Sequence, residues 1–157
     1  MGKVFLPIVR FLVPGVFIAI TNSLVVNRYC GSLKDSGAKV PFRPPPIVFG
    51  IVWPILFVTT GLAWAIAKKT HLFPGRSQLL IDSLLATIVV LCCVWLGVYV
   101  CAKRKKIAAF VLLFTALLSW FSFGVIQHTA GWLMGLLALW TSFATVLNMY
   151  DAFAIAG

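Results

Sequence analysis

Five long apolar runs alternate with short clusters of basic residues, prolines and glycines along the 157-residue chain. A hydrocarbon core about 30 Å thick takes roughly 20 apolar residues per helix. On that scale the runs predict membrane-spanning helices over residues 4–26, 47–67, 79–102, 107–127 and 130–154. The expected fold class is an all-α membrane protein, a five transmembrane helix bundle forming a single domain over residues 1–157. An odd number of spans puts the termini on opposite sides. The expected connections are a first loop of about twenty residues, a loop around His71 to Gln78, the basic run Lys103 to Lys106, and a tight turn near His128 to Gly131. The chain shows no internal repeat, low-complexity linker or second domain.

The first run is the least regular, because Pro7, Arg10 and Pro14 interrupt its start. No small-residue cleavage pattern follows it, and its apolar core is long for a signal peptide, so a retained helix is expected. Leu6 stands where a myristoylation motif needs Ser or Thr, which sets lipidation aside.

Composition supports the same reading: 62% of residues are hydrophobic and 10% charged, against about 25% charged in an ordinary soluble domain. The formal net charge of +10 could suggest nucleic acid, but the cations occupy short membrane-flanking loops, where anionic lipid headgroups are the natural counterpart. No nucleic-acid partner is expected. Loops one and three hold Arg28, Lys34, Lys39, Arg43 and Lys103, Arg104, Lys105, Lys106. Lys3, Arg10, Lys68, Lys69 and Arg76 lie on the other side. The bias places loops one and three and the C-terminus in the cytosol. It does not name the membrane.

Candidate chemistry is concentrated in two helices. At residues 40–61, VPFRPPPIVFGIVWPILFVTTG, the prolines Pro44 to Pro46 lead directly into an apolar span. They lack amide donors and hold the approach to the helix extended. Gly50, Trp53 and Phe57 then share one helix face, as do Trp140, Ala144 and Asn148 in the last span. If these faces converge, Trp53 and Trp140 line a cavity in which Gly50 and Ala144 leave room for a flat ring.

Other aromatic and polar residues have simpler expected roles. Trp64, Trp120 and Trp132 lie near predicted membrane boundaries and read as interfacial anchors. Gly61, Gly131 and Gly135 suit close helix contacts, the last two serving packing or dimerisation. Asn148 should bond another helix or a ligand, since an amide at membrane depth needs a partner. Asp82 reads as a helix cap, and Asp151 as reaching the interface. Cys30, Cys92, Cys93 and Cys101 lack metal-ligand spacing, and His71 and His128 fall in loops, so no metal site is expected. No hydrolytic triad is apparent.

The two motif helices resemble those of the translocator protein family, the peripheral benzodiazepine receptors and tryptophan-rich sensory proteins. Pro44-Pro45 ahead of Gly50, Val52, Trp53, Leu56 and Phe57 is similar to that family's PP and G-x-V-W-x-x-L-Y signature. The stretch LALWTSFATVLN, residues 137–148, resembles its L-A-W-x-x-F-A-x-x-L-N helix. The chain departs from the pattern at Phe42, Phe57, Leu91-Cys92 with Trp95, and Leu136-Leu137, which removes several polar handles. A Lys or Arg is also missing after Tyr150, so the proposed cholesterol-recognition pattern is incomplete.

The resemblance implies a protein that binds, transports or senses a tetrapyrrole (porphyrin or haem) or a sterol-like apolar molecule. Its ligand would lie between helices two and five under loop one, against Phe42, Pro44, Pro45, Gly50, Trp53, Phe57, Cys92, Trp95, Trp140, Ala144 and Asn148. It also implies membrane lipids and a second copy of the chain as partners, and no resident cofactor. Two alternatives stand beside it. One is a structural or partner-binding protein that kept the fold and lost the ligand. The other is a porphyrin-degrading enzyme with Trp53 and Trp140 as redox participants.

Overall fold

The computed structural model describes residues 2–26, 41–42 and 44–155; for residues 2–4, 24–26, 46, 49, 50 and 155 only the backbone is described. Five long helices account for nearly all of them: α1 (Gly2–Ile20), α2 (Pro46–Ile66), α3 (Ser77–Leu96), α4 (Lys105–Val125) and α5 (His128–Met149). Four helical stretches are long and apolar enough to cross a membrane, and α2 adds a shorter apolar stretch, Ile51–Ile66. The chain is an integral multi-pass membrane protein folded as a five-helix bundle. Residues 27–40 and 43 of the predicted first loop, with Arg28, Cys30, Lys34, Lys39 and Arg43, lie outside the described residues.

Local chemistry explains several boundaries. Pro46 opens α2 at a position where the missing amide costs nothing, and Pro45 is extended at φ −55°, ψ 149°. α1 continues as a helix through Pro7 and Pro14. α5 begins at His128, so the predicted turn is shorter than expected, and its reversal is made by His128 at φ 64°. Helices α1, α3 and α5 each end in a π-helical segment, Thr21–Val26, Gly97–Cys101 and Tyr150–Ile155. In an up-and-down bundle these three ends share one face with the starts of α2 and α4, hereafter the loop-one face.

At the opposite face the two connections are tied together. His71 N–H donates to the Val125 carbonyl at 2.8 Å, and Gln127 N–H donates to the Lys69 carbonyl at 3.0 Å. The Gln127 side-chain amide adds a bond to the Thr70 carbonyl at 3.2 Å. These pairings give Thr70 and Ile126 a short antiparallel bridge.

Inside the bundle, small residues let the last two helices approach closely. Thr115, Ser119 and Ser122 of α4 and Thr141 and Thr145 of α5 are buried. Each hydroxyl bonds the carbonyl four residues earlier in its own helix, so these groups are satisfied locally and act as small packing units. Gly131 and Gly135 are buried in the same region. A Cβ at Gly131 would stand 2.2 Å from the Ile126 carbonyl oxygen, and one at Gly135 would stand 2.9 Å from the Phe123 ring.

Both glycines are therefore used in packing within the chain, one of the two roles expected for them. Gly131→Ala should lower the melting temperature of the detergent-solubilised protein more than Gly135→Ala, because a backbone carbonyl yields less easily than a ring. Loss of association in Gly131→Ala with an unchanged melting temperature would refute this assignment.

Candidate functional site

The site is built from aromatic side chains of α2, α3 and α5 toward the loop-one face. Trp53 and Phe57 lie one turn apart on α2, both buried, and their rings stack at 5.7 Å with an interplanar angle of 20°. Trp95 of α3 stacks on Trp53 from another helix at 5.5 Å and 29°. Trp140 of α5 meets Trp53 edge-on at 6.0 Å and 87°. Three of the chain's six tryptophans thus meet at one point of the bundle. Such ring pairs contribute about 0.5–1.5 kcal/mol each beyond the area they bury.

The cluster continues toward the loop-one face. Trp95 stacks on Tyr99 at 5.8 Å, and Trp140 packs on Phe143 at 5.5 Å. Phe42, half exposed, sets its ring edge-on to Phe143 at 6.4 Å and to Tyr150 at 5.3 Å. Pro44 is half-buried and Pro45 exposed at the same entrance. Gly50 lies in α2 with its surroundings outside the described residues. Ala144 and Cys92 are buried, and Cys92 belongs to the same core cluster as Trp53 and Trp95.

Two polar groups distinguish this cluster from a plain apolar core. Asn148 accepts the Trp95 indole N–H at 3.1 Å and donates its own amide to the Ala144 carbonyl at 2.8 Å. It joins α5 to α3 and uses the indole of the same tryptophan that stacks on Trp53. The Trp53 indole N–H is buried and has no hydrogen-bond partner among the described residues. A buried donor without an acceptor costs about 1–3 kcal/mol.

Two ionic clusters replace the simpler roles expected for the intramembrane carboxylates. Asp82 does not cap α3. Its oxygens accept Arg10 Nε at 3.0 Å and Arg10 Nη2 at 3.1 Å, together with the Trp64 indole at 2.7 Å and the Gln78 amide at 3.1 Å. Trp64 is 7% exposed, so it is a buried donor in this cluster rather than an interfacial anchor. Asp151 is 1% exposed and does not reach the interface; it accepts the Tyr99 hydroxyl and Lys105 Nζ at 3.2 Å. Trp132, 73% exposed, and Trp120 remain on the outer surface of the bundle.

Tyr99, Phe143 and Tyr150 were missed by the sequence reading of the site. Tyr99 and Tyr150 stand in the π-helical segments that follow α3 and α5, where the expected i, i+3, i+7 face no longer predicts direction. Cys101 is disulfide-bonded, which the cysteine spacing also did not reveal, while Cys92 and Cys93 are free. No group of three metal-ligating side chains occurs among the described residues. A cleft of about 290 Å³ at the opposite face is lined by residues that include Lys68, Lys69 and His128, and it shares none of its lining with the aromatic cluster.

A family model, the TspO/MBR family, matches residues 10–152. The chain belongs to the TspO/MBR family. A comparison with curated proteins finds none that matches the chain. The TspO/MBR match takes in α2 and α5 with both motif segments, together with Trp95, Tyr99 and Asp151.

Proposed function

We propose that this TspO/MBR protein binds a flat apolar ligand, a tetrapyrrole or a sterol-like molecule, between α2 and α5 at the loop-one face, as the binding step of transport or sensing. The observation that carries the reading is the buried indole N–H of Trp53, which lacks an acceptor among the described residues in the middle of an aromatic cluster. Ring faces and edges from three helices offer area for a planar molecule, and one unsatisfied donor offers orientation. Phe42, Pro44 and Pro45 would form the entrance, with Asn148 holding Trp95 in place. The ligand would displace rings that now rest on one another, so binding requires side-chain rearrangement at Trp140 or Phe143.

The mutual contact of the rings also favours a second reading, a structural or partner-binding protein in which the aromatic cluster serves as packing alone. Quenching of tryptophan fluorescence by protoporphyrin in detergent separates the two. Saturable quenching in the micromolar range is expected for the wild type, weakened about tenfold or more by Ala144→Phe, since a ring added at this buried position competes for the same volume. Quenching that does not saturate, or that is identical in Ala144→Phe and Trp140→Phe, rules out the binding site and leaves the structural reading.

A further inference from the structure

We infer that Trp53, Trp95 and Tyr99 form a one-electron relay that ends in a proton-coupled step from Tyr99 to Asp151. The three rings lie in a line of near-parallel stacks, at 5.5 Å and 29° and then at 5.8 Å and 22°. All three are buried. The other neighbours of Trp53 are poorer outlets: Phe57 is not oxidised by the oxidants that remove an electron from indole, and Trp140 presents its edge at 87°, with little π overlap.

The polar partners give the relay its direction. The Trp53 indole N–H has no acceptor among the described residues, and the Trp95 N–H is held by the amide oxygen of Asn148, a very weak base. Among the described residues, neither tryptophan radical cation has a base to take its proton. The first carboxylate along the stack is Asp151, which already accepts the Tyr99 hydroxyl. Lys105 Nζ, 3.2 Å from the other carboxylate oxygen, compensates its charge.

With a tetrapyrrole π-radical cation as oxidant, Trp53 gives up one electron and the tetrapyrrole returns to its closed-shell form. Trp95 reduces Trp53 and is reduced in turn by Tyr99, whose O–H proton passes to Asp151. The products are a neutral tyrosyl radical and a neutral carboxylic acid. One electron has moved from Tyr99 to the tetrapyrrole and one proton from Tyr99 to Asp151. This identity of the oxidant rests on the proposed binding function; the relay itself does not.

The test therefore uses tris(bipyridine)ruthenium(III), generated by a light flash with persulfate, which needs no binding pocket. The chain has three tyrosines, so a Tyr29→Phe, Tyr150→Phe background leaves Tyr99 as the single source of a tyrosyl signal in freeze-quench electron paramagnetic resonance. A tyrosyl radical is expected there, formed more slowly in D2O. It should vanish on adding Tyr99→Phe and fall to background on adding Trp53→Phe or Trp95→Phe, with far-ultraviolet circular dichroism verifying that each variant is folded. Absence of the radical in the background, or an undiminished yield in either tryptophan variant, overturns the relay. Protoporphyrin quenching on the same samples reports the binding site separately.

Discussion

Gly61→Ala should pull α1 away from α2. A Cβ at Gly61 would lie 2.1 Å from the carbonyl oxygen of Phe11 and 3.0 Å from its carbonyl carbon, so the obstacle is helix backbone and cannot rotate aside. Overpacking typically costs 1–3 kcal/mol. With backbone as the clashing partner, a loss of about 3 kcal/mol is expected, or roughly 10 °C in melting temperature for a chain of this size. Gly15→Ala on α1 is the control, because nothing lies within 4 Å of its Cβ position, and there the gain in helix propensity should leave stability unchanged or raise it by up to about 1 kcal/mol. Equal melting temperatures for the two variants would show that α1 and α2 are not held at the observed distance.

Removing the Asp82 carboxylate should be nearly as damaging. Asp82→Leu strips an acceptor from the Arg10 guanidinium, the Trp64 indole and the Gln78 amide at once. Breaking a buried ion pair by deleting one partner costs about 3–5 kcal/mol, whereas replacing both partners by apolar residues is often neutral. Arg10 and Asp82 are only partly covered, so the lower end, about 3 kcal/mol, is expected here. The double variant Arg10→Met, Asp82→Leu should recover most of that loss. Thermal unfolding of the four proteins closes the double-mutant cycle. Additive losses in the double variant would mean that the pair is not coupled, and α1 would then depend on Gly61 packing alone.

The five-helix architecture was legible because each span is a nearly uncharged run, and in a bilayer such a run must satisfy its backbone internally. The tryptophan cluster was legible in part. Trp53 and Phe57 follow from helix period, and Asn148 stood out as an amide in an apolar stretch. The partners of the carboxylates were not legible. Arg10 and Asp82 are 72 residues apart, and Lys105 and Asp151 are 46 apart, and a lone aspartate in a span carries no mark of which helix will face it. Helix capping and interfacial placement were the local explanations available for Asp82 and Asp151. The bundle instead uses two of the chain's three carboxylates as ties between helices.

Trp64 shows the same limit from the opposite direction. Its position near the end of α2 suits a boundary anchor, yet the indole turns inward because a carboxylate waits there. Trp132, equally near a helix end, has no such attraction and stays outside. Sequence position gave both residues the same expectation, and only the neighbouring helix distinguished them.

The two faces of the bundle are closed by different kinds of bond. Wide turns close Thr21–Val26, Gly97–Cys101 and Tyr150–Ile155, a rare helical form that occurs frequently at functional sites. At the far face, the Lys69–Gln127 and His71–Val125 bonds fasten loop to loop. At the loop-one face the fastenings are side chains instead, with Asp151 gripping Tyr99 and Lys105 and a disulfide at Cys101, so the aromatic cluster lies between a seam of backbone and a seam of side chains.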